Sequence, residues 1–152
     1  MSPRRPSKRL VEASERLAEL DPVMRTMLER IGPCDLRRGR PRREHFAELA
    51  RAITYQQLAG RAAAAIHGRF VGLFDGNGPT PEAVLALPVD RLRGAGLSGS
   101  KTASIRDLAD KVVDGSVQLD RIARLPDDEI KRELTLVRGI GPWTADMFLI
   151  FQ

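Results

Sequence analysis

The segment Leu136-Val137-Arg138-Gly139-Ile140-Gly141-Pro142-Trp143-Thr144-Ala145 decides how the rest of this chain is read. A helical pattern runs into it from Asp127, and another leaves it at Pro142. Between them stand two glycines separated by one apolar residue. Glycine accepts a positive φ and leaves its N–H uncovered, so the segment predicts a tight hairpin between two helices. Pro142 suits a first helical position, where its missing N–H costs nothing. The amides of Gly139, Gly141 and the first turn after Pro142 then point outward together. That is a phosphate-sized anion site at a helix N-terminus, with a purely structural helix turn as the plainer alternative.

Upstream, the stretch Arg93-Gly94-Ala95-Gly96 echoes Arg138-Gly139-Ile140-Gly141, and each follows a Leu-Pro-x-Asp segment, at 87–90 and 125–128. The spacing from segment to glycines differs, so this is an echo and not a strict repeat. A helix is predicted from Ser100 to Val113, with Ile105, Leu108, Ala109 and Val112 inward and Gly115 as its end. Earlier, the spacing of Phe46, Leu49, Ala50 and Ile53 predicts an amphipathic helix from about Arg43 to Ile53. The chain turns near Tyr55-Gln56-Gln57, and a long Ala-rich helix follows to about Phe74, whose Ala62–Ala65 block allows close helix–helix approach. Asp75–Pro79 is a loop, and Thr80 caps a short helix that opens at Pro81 and ends at Pro88.

The N-terminal part predicts helices over 8–20 and 22–31. Asp21 caps the second, Pro22 takes its first position, and Val23, Met24, Met27, Leu28 and Ile31 share one face. Residues 1–9 are Pro- and Arg-rich and expected to fray, and the Arg-rich run 37–43 reads as a loop. No sustained period-two apolar pattern occurs anywhere. The expected fold is all-α, with a helical extension and basic loop over 1–42 and the main domain over 43–152.

With 152 residues the chain bounds one domain plus a short extension. Lys and Arg (25) outnumber Asp and Glu (20), for a net charge of +5, which favours a polyanionic partner, nucleic acid ahead of membrane. A merely Arg-rich composition is the bland alternative. Cys34 is the only cysteine, so neither an internal disulfide nor a thiolate cluster forms within the chain. Its apolar runs are too short to span a bilayer, and its N-terminus has no apolar signal region. A cytoplasmic monomer is expected, nucleoid-associated if bacterial.

Val137-Arg138-Gly139-Ile140-Gly141-Pro142-Trp143-Thr144-Ala145 resembles the helix-hairpin-helix of the DNA glycosylase superfamily that shares this motif. Tyr55-Gln56-Gln57-Leu58-Ala59 resembles its strand-insertion segment, and Gly96-Leu97-Ser98-x-x-Lys101 its second turn. The three together are most similar to the alkylated-base branch, the 3-methyladenine DNA glycosylase II group, over roughly residues 43–152. The resemblance implies damaged double-stranded DNA as partner. It also implies base excision repair as function, by flipping an alkylated base and hydrolysing its N-glycosidic bond.

A glycosylase must fill the gap that the expelled nucleotide leaves. Leu58 with Gln57 is the candidate wedge, the alternative being a core leucine beside surface glutamines. The resemblance implies that the amides of Gly139, Gly141 and Thr144 hold a DNA phosphate. It also implies a structural Na+ or K+ bound by the backbone carbonyls of Thr135, Val137 and Ile140, with no other cofactor. Arg138 stands where the family commonly has a small residue or proline, and is a candidate second phosphate contact. Trp143 and Met147, one turn apart, are implied to line the base pocket, with Tyr55 a weaker candidate. Alkylated purines are cationic, and an indole attracts them by cation–π contact worth about 1–2 kcal/mol. A core tryptophan is the alternative. Ser98 and Lys101 are candidate phosphate contacts, or else a plain N-cap and a surface lysine. His45 and His67 are assigned no chemistry.

The family's essential carboxylate, an Asp, lies beyond the helix that follows the hairpin. Here that helix starts at Pro142 and the sequence stops at Gln152, about ten residues and ~15 Å later. No catalytic residue is therefore assigned, and Asp146, inside the helix and expected to be solvated, does not match. Losing such a group typically costs about 10²–10⁴ in rate, or roughly 3–5 kcal/mol of barrier. The apolar run Met147–Phe151 implies that something packs over it, so the expectation is a glycosylase domain incomplete at its C-terminus. A non-catalytic helix-hairpin-helix DNA-binding module and a helical interaction protein without DNA are the other two readings.

Overall fold

A computed structural model describes residues 8–34 and 45–151. Of the expected frayed end at 1–9, Lys8 and Arg9 open a helix, while residues 1–7, the basic loop 37–43 and the domain boundary at 42/43 lie outside the described residues. The described chain forms two compact units, one from residues 8–34 and one from 45–150.

In the first unit, α1 (Lys8–Leu20) packs on α2 (Pro22–Ile31). Asp21 caps α2 as its sequence position predicts. Its Oδ1 accepts from the N–H of Val23 at 2.7 Å and, more weakly, of Met24 at 3.4 Å. Ala18 is buried, but Val23, Met24, Met27 and Ile31 of the predicted apolar face are exposed and only Leu28 is half-buried. The Cys34 N–H donates to Ser14 Oγ at 3.0 Å, and the Cys34 thiol is free and exposed.

The second unit holds α3 (His45–Tyr55), α4 (Gly60–Val71), α5 (Pro81–Ala86), α6 (Val89–Gly94), α7 (Gly99–Val113), α8 (Asp127–Thr135) and α9 (Pro142–Phe151). A single 3-10 turn at Ile122–Arg124 precedes α8, and there is no strand among the described residues. The apolar stripe of α3 is fully used: Phe46, Leu49, Ala50 and Ile53 are all buried. α7 packs against α3, α5 and α6, and its Ile105, Leu108 and Ala109 join Phe70, Leu92, Leu134 and Val137 in one core. Burying each large aliphatic or aromatic side chain contributes about 1.5–3 kcal/mol, so α7 is the central strut of the unit.

Three expectations need correction. Only Ala63 of the Ala62–Ala65 block is buried, so the block is mostly a solvent-facing surface with high helix propensity and not a close-approach seam. The helix α4 stops at Val71, and Leu73 and Phe74 follow in tight i→i−3 turns that drop Phe74 into the core. Residues 89–94 form a helix, α6, that is too short to show periodicity and ends on Gly94. With α6 in place, α6–α7 and α8–α9 are two helix–turn–helix units.

The echo between them is real but displaced by two residues. In the upstream turn the second glycine, Gly96, has the positive φ (+97°), whereas downstream it is the first, Gly139 (+78°). Leu97 and Ile140, each directly after that glycine, are both buried. Ser98 and Gly141 follow, and the carbonyl of each accepts the first helical bond, from Thr102 at 2.9 Å and Ala145 at 3.1 Å. The conformational equivalence is therefore Gly96-Leu97-Ser98 with Gly139-Ile140-Gly141.

Candidate nucleic-acid interface

That equivalence shows where the two turns differ. Ser98 caps its own helix, its Oγ accepting the Lys101 N–H at 3.2 Å. Gly141 has no side chain with which to do the same for Thr144. The Thr144 N–H therefore finds no acceptor among the described residues, and neither do the N–H groups of Gly139, Gly141 and Trp143. Gly139, Gly141 and Trp143 are exposed, and a Cβ on Gly141 would meet nothing within 4 Å. Unpaired amides at the start of a helix attract an anion through both hydrogen bonding and the helix dipole.

The hairpin is held from beneath by α7. Gly139 sits so close that a Cβ would lie 2.7 Å from Ser104 Oγ. Asp107 Oδ2 accepts the Arg138 N–H at 2.7 Å, while Oδ1 meets Lys111 Nζ at 2.5 Å. Burial opposes ionisation of Asp107, but the bonds from Lys111 and Arg138 together hold its carboxyl below the usual carboxylate range. Neither Ser104 nor Asp107 is marked by the sequence. Both lie on a helix whose periodicity reports burial only.

The turn between α3 and α4 has its own support. Gln57, at its tip, is exposed and takes a left-handed φ of +56°, a conformation uncommon for a residue with a Cβ. Leu58 is 38% exposed, so it is not a core leucine. Lys101 Nζ donates to the carbonyls of Thr54 at 2.5 Å and Gln56 at 2.8 Å, closing the C-terminus of α3. Burial lowers its pKa from the ordinary lysine value. Lys101 is thus not the plain surface lysine of the alternative reading, and two of its three N–H donors are engaged inside the protein. Gln56, to which sequence reading gave no role, reaches the hairpin. Its Nε2 donates to Gly139 O at 2.8 Å and lies 3.4 Å from Thr144 Oγ1.

Trp143 is 70% exposed and so no part of the core of the described residues, and Met147 is half-buried one turn along α9. Tyr55 is half-buried, with the Arg51 guanidinium 4.6 Å above its ring and the edge of His67 at 6.0 Å. Burial, then the charge of Arg51, lowers the His67 pKa. His45 is buried, with Nδ1 3.3 Å from Leu119 O and its ring edge-on to Phe148. Asp146, expected to be solvated, is half-exposed and pairs with Lys131 at 2.6 Å. Their bond raises the Lys131 pKa.

The carbonyls of Thr135 and Ile140 accept no hydrogen bond among the described residues, and that of Val137 accepts one, from Ile140 at 3.1 Å. No group of three or more His, Cys, Asp or Glu side chains stands ready for a metal among the described residues. Oxygen donors of this neutral kind suit a hard monovalent cation better than a transition metal.

Two helix–turn–helix units, each with a left-handed glycine in its turn, define a helix-hairpin-helix protein. Residues 50–148 match the family described as HhH-GPD superfamily base excision DNA repair protein, and the chain belongs to that superfamily. It is similar to DNA-3-methyladenine glycosylase 1 of Schizosaccharomyces pombe, with 33% identity over 145 residues. The match covers 94% of this chain but 64% of that relative, so the chain spans less than two thirds of its length. Among solved structures it resembles the S. pombe 3-methyladenine DNA glycosylase in complex with abasic DNA, with a TM-score of 0.76 and 32% identity. That likeness covers 92% of this chain and 69% of that one. It also resembles a DNA-3-methyladenine glycosidase of Bacillus halodurans, with a TM-score of 0.80 and 29% identity over 100% of this chain and 66% of that one.

Proposed function

We propose that this chain is the DNA-gripping part of a base-excision glycosylase that flips alkylated bases, of the 3-methyladenine kind, out of double-stranded DNA. The observation that carries this reading is the open amide cluster at 139–144, joined through Gln56 to an exposed turn bearing Gln57 and Leu58. One element takes a phosphate and the other enters the duplex. Trp143, exposed on the first turn of α9, supplies an electron-rich face for a cationic purine. Tyr55 suits that role less, because Arg51 already places a positive charge over its ring. A Na+ or K+ on the carbonyls of Thr135, Val137 and Ile140 would offset the charge of the bound phosphate. Ser98 retains a hydroxyl O–H for a phosphate, and the exposed Arg138 is a second phosphate contact at the hairpin. The protein acts as a monomer in the cytoplasm.

Hydrolysis of the N-glycosidic bond needs a carboxylate that is free to stabilise the sugar cation. Asp146 lies within α9, in a half-exposed pair with Lys131, and does not match that group. The 152-residue chain is therefore expected to bind duplex DNA carrying an abasic analogue but to release no 3-methyladenine at an appreciable rate. Leu58→Ala is expected to weaken binding to abasic DNA about tenfold, in line with loss of one buried apolar contact, and binding to intact duplex far less. Equal loss on both duplexes refutes the wedge. Robust base release by residues 1–152 refutes the assignment of Asp146 as structural.

A further inference from the structure

The wedge turn and the anchor hairpin are 80 residues apart in the chain, yet they are tied at several points to one helix and at one point to each other. Along α7, Lys101 holds the carbonyls of Thr54 and Gln56, Ser104 packs under Gly139, and Asp107 holds the Arg138 N–H. These three positions span about 9 Å of helix within an arc of roughly 120°, so α7 carries both parts on one side. Gln56 then closes the triangle. Its own carbonyl is fixed by Lys101, and its side chain donates to the hairpin at Gly139 O. Thr144 Oγ1, 3.4 Å from the same Nε2, belongs to a residue whose backbone N–H is one of the open amides.

We infer that Gln56 is a positioning residue that sets the distance between a phosphate held at 139–144 and the side chains of Gln57 and Leu58 entering the duplex. The inference rests on the glycosylase reading above. Gln56 donates to Gly139 O, the carbonyl of the left-handed residue that shapes the hairpin, and its Oε1 accepts from none of the open N–H groups. It leaves those amides available while fixing where they stand relative to the wedge. Gln57, directly after it, holds φ at +56°, so the turn is kept in an uncommon conformation at the point where the brace attaches. A side chain needed only for folding has no reason to bridge the two DNA-facing parts. One that sets their separation does.

The test compares wild-type chain with Gln56→Ala, Gln56→Met, Leu58→Ala and the double variant Gln56→Ala/Leu58→Ala. Each is titrated by fluorescence anisotropy against a duplex carrying a tetrahydrofuran abasic analogue and against the same duplex intact, over a range of salt. Loss of one hydrogen bond of about 1–1.5 kcal/mol predicts a five- to tenfold fall in abasic preference for Gln56→Ala. Gln56→Met, which keeps the length but removes the donor, is expected to behave alike and covers the case in which the alanine variant does not fold. The salt slope stays as in wild type, because no phosphate contact is lost. The double variant should lose no more than the worse single one. Equal losses on both duplexes, additive losses, or a wild-type-like Gln56→Met overturns the inference. If wild type itself shows no abasic preference, the glycosylase reading fails instead. Hydrogen exchange then still reads the brace: unchanged exchange at Gln57 and Leu58 in Gln56→Ala refutes it.

Discussion

Gly139 and Gly141 look equivalent on paper and are not equivalent in the fold. Gly139 has φ +78° and sits where a Cβ would lie 2.7 Å from Ser104 Oγ, so its lack of a side chain is required twice over. Gly141 has no positive φ and open space about it. What its missing side chain does is leave the N3 amide of α9 uncapped. Gly139→Ala is therefore expected to destabilise the protein by roughly 1–3 kcal/mol, the combined cost of left-handed backbone and steric displacement. Gly141→Ala should stay within about 0.5 kcal/mol of wild type, while Gly141→Ser, able to cap Thr144 as Ser98 caps Lys101, should weaken binding to any duplex DNA. Thermal melts paired with anisotropy titrations separate the two. Equal melting losses at both positions would show that the turn has been misassigned.

At the scale of elements, α7 is the part that makes two remote turns into one surface. The Asp107 carboxylate joins it to the hairpin, and its pKa is held below the ordinary value of 3.8. A depressed carboxylate contributes stability that is complete above its unfolded-state pKa and is lost as pH falls through the lower native one. Wild type should therefore exceed Asp107→Asn by about 1–2 kcal/mol near neutrality, the about 1.5–3 kcal/mol of a hydrogen bond to a charged group reduced by partial exposure. That gap should close as pH drops below about 3.8. Denaturant melts at pH 7, 5 and 3 measure it. A gap that is constant across that range would mean that the carboxylate charge plays no part.

For the whole molecule, the surplus of +5 favours a polyanionic partner. Each phosphate neutralised contributes about −0.9 to the slope of log affinity against log salt. The slope for intact duplex should thus be clearly negative and should persist in Leu58→Ala, since the wedge carries no charge. A slope near zero removes nucleic acid as the partner. No helix among the described residues is long and apolar enough to cross a membrane.

Much of this was legible in the chain because helices announce themselves locally. The stripe Phe46-Leu49-Ala50-Ile53, the cap at Asp21, the stop at Gly115 and the hairpin at 136–145 are all short-range patterns of burial, capping and glycine geometry. They determined an all-α fold and its open turn without reference to distant residues. The brief helix at 89–94 escaped because six residues hold too few turns to show a period. The two-residue offset between the glycine echoes escaped because φ is not written in the letter G. The support of the site was out of reach for a deeper reason. Gln56 bonding Gly139, Lys101 closing α3 and Asp107 holding Arg138 each join residues 31 to 83 positions apart. A polar side chain on a helix face looks the same in sequence whether it ends in water or on a carbonyl. Only the packing of α7 against α3 and the hairpin decided which, because a hydrogen bond exists at about 3 Å and nowhere else.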